Sequence, residues 1–265
     1  MPYVNNHGIR IYCEVEGQGP PLVLATGANA DLTTWRKTGY VEALKDDFQL
    51  ILFDARGHGR SDKPHVASAY SPNVAAIMAG DVIAILDDLR ISKADYFGYS
   101  MGALVGFRLA TWHGSRFRSF ILGGGSPYRM PDAGVEALQE MIEGYDLLRT
   151  APDAFLRRQE RVLGRPLSSG EKKWWSDVDP VMLTLILRSI IDLPPLTDQE
   201  LSAVSVPCLL FCGEFDGWGG GAKESVNHIR QARFVALKGL DHMTAMSRTD
   251  LLVLSIKEFL AEVSK

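Results

Sequence analysis

Residues Ile9 to Glu16 alternate between apolar and polar positions directly after Asn5-Asn6-His7-Gly8, a run of turn-forming residues, so the spacing predicts a β-hairpin there. Five short apolar runs follow with little alternation: Pro21 to Ala25, Gln49 to Phe53, Ala94 to Phe97, Ser119 to Leu122 and Pro207 to Cys212. A strand covered on both faces has no polar side to show, so such runs read as buried parallel strands. Between them the period changes to that of a helix. Ser71-Pro72 supplies an N-cap residue followed by proline at the first helical position, and the residues beyond it place Val74, Met78, Val82, Ile85, Leu86 and Leu89 on one face. A similar amphipathic helix is predicted at Leu251 to Val263. Strands that alternate with helices in this way predict an α/β fold, a mostly parallel central sheet with helices on both faces.

One stretch breaks the alternation. Residues 127–203 hold no strand pattern but several helical segments rich in Leu, Met, Trp and Tyr, including Trp174, Trp175 and Leu183 to Ile191. Pro194-Pro195 then precedes a return to strand at Val206. The pattern reads as a helical cap inserted in a core made of residues 1–126 and 204–265. Neither an internal repeat nor a linker long enough to separate independent domains is visible.

Composition narrows the function classes. Of 265 residues, 46% are hydrophobic and 23% charged, which fits a soluble globular domain and no fibrous or disordered class. Lys and Arg number 28 against 32 Asp and Glu, a formal charge of −4, without the basic stripe that a nucleic-acid protein carries. The densest cationic stretch, Arg157, Arg158, Arg161 and Arg165, is interrupted by Glu160 and reads as a solvated helix face. Cys13, Cys208 and Cys212 are an odd count with two in one predicted strand, so they are read as small buried hydrophobes in a reducing compartment. The segment Met1 to Asn6 lacks the basic start and apolar stretch of a signal peptide, and no run reaches the roughly 18 apolar residues of a membrane span. The expectation is therefore a cytoplasmic protein with no nucleic-acid or membrane partner.

Candidate chemistry centres on one turn. The strand Asp95-Tyr96-Phe97 runs into Gly98-Tyr99-Ser100-Met101-Gly102 and then into the helical stretch Ala103 to Ala110, which places Ser100 at the apex of a strand, tight turn and helix. A turn this sharp strains the serine backbone and crowds its neighbours, which is why glycine is needed on both sides. A serine hydroxyl becomes a good nucleophile only when a histidine takes its proton, and that histidine needs a carboxylate to hold its tautomer. Downstream, Gly213-Glu214-Phe215-Asp216 follows one predicted strand, and Lys238-Gly239-Leu240-Asp241-His242 follows the strand Phe234 to Leu237. His242 is the one histidine placed after the last strand. Glu214, Asp216 and Asp241 are all candidate acids on spacing alone. The oxyanion of an acyl-transfer intermediate needs two backbone N–H groups, one from Met101, directly after the serine, and one from the loop after the first parallel strand.

These stretches, with Leu24-Ala25-Thr26-Gly27-Ala28-Asn29 and Phe53-Asp54-Ala55-Arg56-Gly57-His58-Gly59-Arg60-Ser61-Asp62, resemble the α/β-hydrolase superfamily over essentially the whole chain. Small capped esterases, enol-lactonases and cofactor-free perhydrolases are the members it looks most like. The resemblance implies Ser100 as nucleophile, Asp216 as acid, His242 as base, and Ala28 with Met101 as oxyanion donors. Thr26 departs from the histidine common at its position. The implied activity is a serine hydrolase acting on a small ester or lactone, with no metal or organic cofactor. The same residues serve perhydrolysis, thioester cleavage and carbon–carbon bond hydrolysis, or a low-turnover ligand-binding protein. Trp35, Trp218, Met243 and Met246, beside Met101, are candidate pocket residues by their distance in sequence from these landmarks, with core packing as the alternative for each.

Overall fold

The computed structural model describes residues 2–263. A sheet of 8 strands runs through it: β1 (Tyr3–Asn6), β2 (Ile9–Glu16), β3 (Pro21–Ala25), β4 (Gln49–Phe53), β5 (Ala94–Tyr99), β6 (Phe117–Gly123), β7 (Cys208–Gly213) and β8 (Ala232–Leu237). Their spatial order is β1-β2-β4-β3-β5-β6-β7-β8. Pairing is antiparallel between β1 and β2 and between β2 and β4, and parallel from β4 to β8. The expected hairpin is β1–β2, turning at His7 and Gly8 with φ of 50° and 89°. Positive φ at both central residues is what a two-residue hairpin needs to match the twist of its strands. The five apolar runs are β3 to β7.

Side chains of successive strand residues point to opposite faces. Leu22 and Leu24 of β3 therefore join Trp35, Tyr40, Ile256 and Phe259 in one core, while Val23 and Ala25 join Val74, Met78, Val82 and Phe107 in the other. Helices α1 (Thr33–Lys37) and α2 (Tyr40–Leu44) cover the first face, and α3 (Val74–Asp88) and α4 (Met101–Trp112) the second. Between β6 and β7 come α5 (Asp132–Thr150), α6 (Pro152–Leu163), α7 (Ser169–Asp177), α8 (Pro180–Ile191) and α9 (Asp198–Ser202). After β7 comes α10 (Gly221–Ser225), and after β8 come α11 (His242–Ser247) and α12 (Thr249–Val263), the last packing with α1 and α2. Among the described residues no helix is long and apolar enough to cross a membrane.

Helix α3 starts later than expected. Its N-cap is Asn73, whose side chain accepts the Ala76 N–H at 3.0 Å, so Ser71 and Pro72 lie outside the helix. Asparagine caps as well as serine, and the residue whose oxygen reaches the third helical N–H sets the boundary. Of the expected apolar face, Val74, Met78, Val82, Ile85 and Leu86 are buried, while Leu89 is the C-cap beyond the helix and only partly buried.

The chain leaves β3 for β4 on one side, while β5 pairs with β3 on the other, level at Ala25 and Gly98. This is the switch point of the sheet, where a crevice opens at the carboxyl ends of the strands. Two loops meet there, the one after β3 and the one holding Ser100. The loop after β4 braces the first. Leu32 N–H donates to Asp54 Oδ1 at 2.8 Å, and Asn29 N–H donates to His58 Nε2 at 3.0 Å. The other ring nitrogen of His58 lies 3.1 Å from the Arg56 carbonyl, so Nδ1 carries the proton and the ring is neutral. Burial pushes its pKa down to about 4. Arg56 is itself buried, and its guanidinium donates to both oxygens of Asp81 on α3, at 2.7 and 2.6 Å.

Two stability effects follow from these contacts. Asp81→Asn leaves the Arg56 charge buried without its counter-charge and is expected to cost about 3–5 kcal/mol in urea unfolding. A loss under about 1 kcal/mol would show that the charge is satisfied another way. His58 has a folded pKa of about 4, below its ordinary 6.5, so between those values the unfolded chain binds the extra proton and stability falls as the pH falls. Unfolding free energies measured from pH 7 to pH 4 should show this slope, and His58→Gln should remove one proton's worth of it. An unchanged slope in that variant would place the acid sensitivity elsewhere.

Candidate active site

Strand β5 ends at Tyr99 and helix α4 begins at Met101, so a single residue turns the chain. That residue, Ser100, has φ 55° and ψ −117°, a conformation that side chains rarely adopt. The turn also forces close approach. A Cβ on Gly98 would lie 2.3 Å from the Gly102 carbonyl oxygen, and one on Gly102 would lie 2.3 Å from that of Ala25, so neither position admits a side chain. Ser100 N–H donates to the Gly123 carbonyl at 2.8 Å and Tyr96 OH to the Gly102 carbonyl at 2.8 Å, which fixes the turn from both sides. Gly27 faces the hydroxyl: a Cβ there would lie 3.3 Å from Ser100 Oγ, in the space a reacting carbonyl needs.

His242, the first residue of α11, brings Nε2 to 3.0 Å from Ser100 Oγ and Nδ1 to 2.9 Å from Asp216 Oδ2. These partners set the tautomer, with Nδ1–H donating to the carboxylate and Nε2 accepting from the serine hydroxyl. Asp216 Oδ1 accepts from Trp218 N–H at 2.9 Å and Gly219 N–H at 3.0 Å. Burial pushes the Asp216 carboxyl up, but the hydrogen bond and charge of His242 and the two N–H groups outweigh it and hold it below its ordinary value. The other two acids are engaged elsewhere. Glu214 accepts the Gly239 N–H at 2.9 Å, and Asp241 caps α11 by accepting the Thr244 N–H at 2.8 Å.

Ala28 is half-buried and Met101 buried, and among the described residues neither of their N–H groups donates to a backbone or side-chain acceptor. Met101 N–H is one of the unpaired donors that any helix presents at its N-terminus, here beside Ser100. Thr26, at the position that departs from the family pattern, donates its hydroxyl to the Ala30 carbonyl at 3.3 Å and so closes the loop on itself. Sequence reasoning missed Tyr99, whose ring lies 5.2 Å from that of His242 and whose OH donates to the His242 carbonyl. No periodic signal marks it, because it is simply the residue before the serine.

The candidate pocket residues divide. Trp218 stands edge-on to the His242 ring with centroids 4.5 Å apart. Trp35 does not line the site: it is 0% exposed, packed against Tyr40 and Phe97 beneath the sheet, because its helix presents that face to the core. Met246 is 8% exposed and belongs to the same core, since the inward face of α11 is Ala245 and Met246. Met243, on the outward face of that short helix, is 74% exposed. A cleft of about 400 Å³ opens beside the β3 loop, lined by Asn29, Asp31, His58, Lys63, Trp174 and Met182, and none of Ser100, Asp216 and His242 borders it. Among the described residues no cluster of three His, Cys, Asp or Glu side chains is arranged to hold a metal ion.

Comparison with known proteins identifies the family. The family model described as the alpha/beta hydrolase fold matches residues 20–165. Over 166 residues, 63% of this chain and 59% of the other, the sequence is 30% identical to a protein of Azorhizobium caulinodans named as a carbamate hydrolase. It is 26% identical over 234 residues, 78% of this chain and 80% of the other, to a pimeloyl acyl-carrier-protein methyl ester esterase of Vibrio atlanticus. The enol-lactonase of Burkholderia xenovorans superposes with a TM-score of 0.74 at 25% identity, covering 98% of this chain and 100% of the other. The family match takes in the switch point, the braced β3 loop and the Ser100 turn together, and the chain belongs to the α/β-hydrolase family.

Proposed function

We propose that this protein is a serine hydrolase that cleaves a small carboxylic ester or lactone through an acyl-enzyme on Ser100. The observation that carries the reading is the unbroken line of hydrogen bonds from Asp216 through His242 to Ser100, at 2.9 and 3.0 Å, ending on a hydroxyl that the turn lifts to the crevice. The relatives named for a carbamate, a methyl ester and an enol lactone support it, since each name specifies a carbonyl bonded to a heteroatom leaving group. Residues 127–203 act in this reading as a cap over the site, and Gly27, lacking a side chain, leaves room beside Ser100 Oγ for the reacting carbonyl.

The chemistry runs in two halves. Ser100 Oγ attacks the carbonyl carbon while its proton passes to His242 Nε2, and the carbonyl π electrons move onto oxygen as the tetrahedral intermediate forms. Ala28 and Met101 N–H groups hold that oxyanion. Asp216 stays ionised and stabilises the imidazolium without taking its proton. As the intermediate collapses, the carbon–oxygen bond to the leaving group breaks and Nε2 gives its proton to the departing alkoxide. In a lactone that alcohol remains tethered to the acyl group. Water then takes the place of the alcohol, loses a proton to Nε2 as it attacks, and releases the acid with Ser100 restored.

Ser100→Ala is expected to abolish labelling by a fluorophosphonate and to cut turnover of a chromogenic short-chain ester to what the oxyanion donors alone sustain, about 10³–10⁴-fold over water. Asp216→Asn offers an amide where Nδ1–H donated, traps the wrong tautomer and should cost about 10⁴-fold in kcat. Glu214→Gln keeps an acceptor for the Gly239 N–H and should cost far less. Near-normal turnover in Ser100→Ala, or a larger loss in Glu214→Gln than in Asp216→Asn with both folded, would contradict these assignments.

A further inference from the structure

Three groups bound the imidazole of His242. Tyr99 lies against it with ring centroids 5.2 Å apart, and Gly124 admits it, since a Cβ there would sit 3.0 Å from His242 Cε1. Both are tied to the sheet, Tyr99 as the last residue of β5 and Gly124 as the residue after β6. The third is Trp218, edge-on at 4.5 Å with an interplanar angle of 77°. Trp218 is on the loop after β7, anchored by its own N–H to Asp216 Oδ1. Its side chain also meets the inserted helices, because a Cβ on Gly134 in the first turn of α5 would lie 3.0 Å from Trp218 Cδ1. Glycine within a helix is unfavourable relative to alanine. A Cβ here would lie nearer still to Met130 Cγ, at 2.7 Å, so the missing side chain lets α5 close on Met130 and the indole together.

We infer that Trp218 is a positioning residue for His242, wedged between the imidazole and Gly134 so that the seating of α5 and the orientation of the general base are set together. The inference rests on the reading of Ser100, His242 and Asp216 as nucleophile, base and acid. The hydrogen bond to Asp216 fixes one point of the imidazole, and a ring held at one point still swings the opposite nitrogen, Nε2, which must meet Ser100 Oγ. Tyr99 blocks that swing on one side. Trp218 adds a second restraint, the only one of the three bounding groups seen here to touch both His242 and an inserted helix. Whatever shifts α5 therefore shifts Nε2 relative to the nucleophile. The role goes beyond lining a pocket: the indole acts through His242 and needs no contact with substrate.

The test is the rate at which a fluorophosphonate labels Ser100, which reports nucleophile activation without knowledge of the substrate. In W218A the bond-forming rate constant is expected to fall about 10²-fold while the half-saturating probe concentration stays within about twofold, the signature of a misplaced base and an intact probe site. W218F keeps a ring against His242 and should recover to within about threefold of the starting rate, whereas G134A, whose methyl group crowds the indole as well as Met130, should lose about tenfold. Starting rates in W218A and G134A would overturn the inference, as would a W218A defect seen only as a lower Tm with the folded fraction labelled normally. W218F as slow as W218A would overturn the role of the ring contact, and if W218A does not fold, G134A and W218F decide. A different failure, no labelling of Ser100 in the unsubstituted protein, would overturn the reading of the site itself, and the inference with it.

Discussion

A serine backbone held at φ 55° and ψ −117° is strained by about 1–3 kcal/mol, and Ser100 stays there only because everything around it leaves no alternative. Strand β5 is paired on both sides, so its end is fixed, and α4 starts one residue later against the Ala25 carbonyl. The packing of strand, helix and turn is possible only with glycine at 98 and 102. The strain has a geometric consequence. It turns the hydroxyl out of the sheet and sets it where Nε2 of His242, the N-terminus of α4 and the β3 loop converge.

The other parts of the site are placed by their own local constraints. The β3 loop carries Ala28 and is held from below by a histidine that is useful because it is neutral: only an unprotonated Nε2 on His58 can accept the Asn29 N–H. Asp54 does the same for Leu32 with a carboxylate, and Arg56 with Asp81 ties this brace to α3. On the far side, α11 begins at His242 itself, capped by Asp241, so the imidazole hangs from a helix end whose direction Thr244 fixes. The site is thus assembled from three loop ends, each pinned by local hydrogen bonds, and the inserted helices reach it through Trp218 and through the Asn29 to Tyr145 contact at 3.4 Å.

Much of this was legible in the residues because the constraints are local. A glycine on each side of Ser100 between strand and helix patterns, and turn residues before Ile9, report conformations the chain must adopt wherever the rest lies. Long-range packing left no such mark. Glu214 and Asp216 share parity along an ideal strand, but β7 ends at Gly213 and Asp216 N–H bonds back to Gly213 in a turn, so parity does not decide which carboxylate meets His242. Trp35 and Met246 were candidates for the same reason that they belong to the core: a large apolar side chain near a motif packs equally well under the sheet or beside a substrate, and only the helix face settles which. The inserted segment reads as helical from its periodicity, yet nothing in its sequence says that Gly134 meets Trp218, because that contact joins the first turn of α5 to the loop after β7, far apart along the chain.

The central claim is a covalent bond to Ser100 during turnover. Acid-quenching the protein while it consumes a chromogenic short-chain ester, then taking its intact mass and mapping the peptide that holds Gly98 to Gly102, tests that claim directly. The account predicts an added mass equal to the acyl group, located on Ser100 and absent from Ser100→Ala. Sustained turnover with no acyl adduct on Ser100, under conditions that trap the adduct of a known serine esterase, would contradict it.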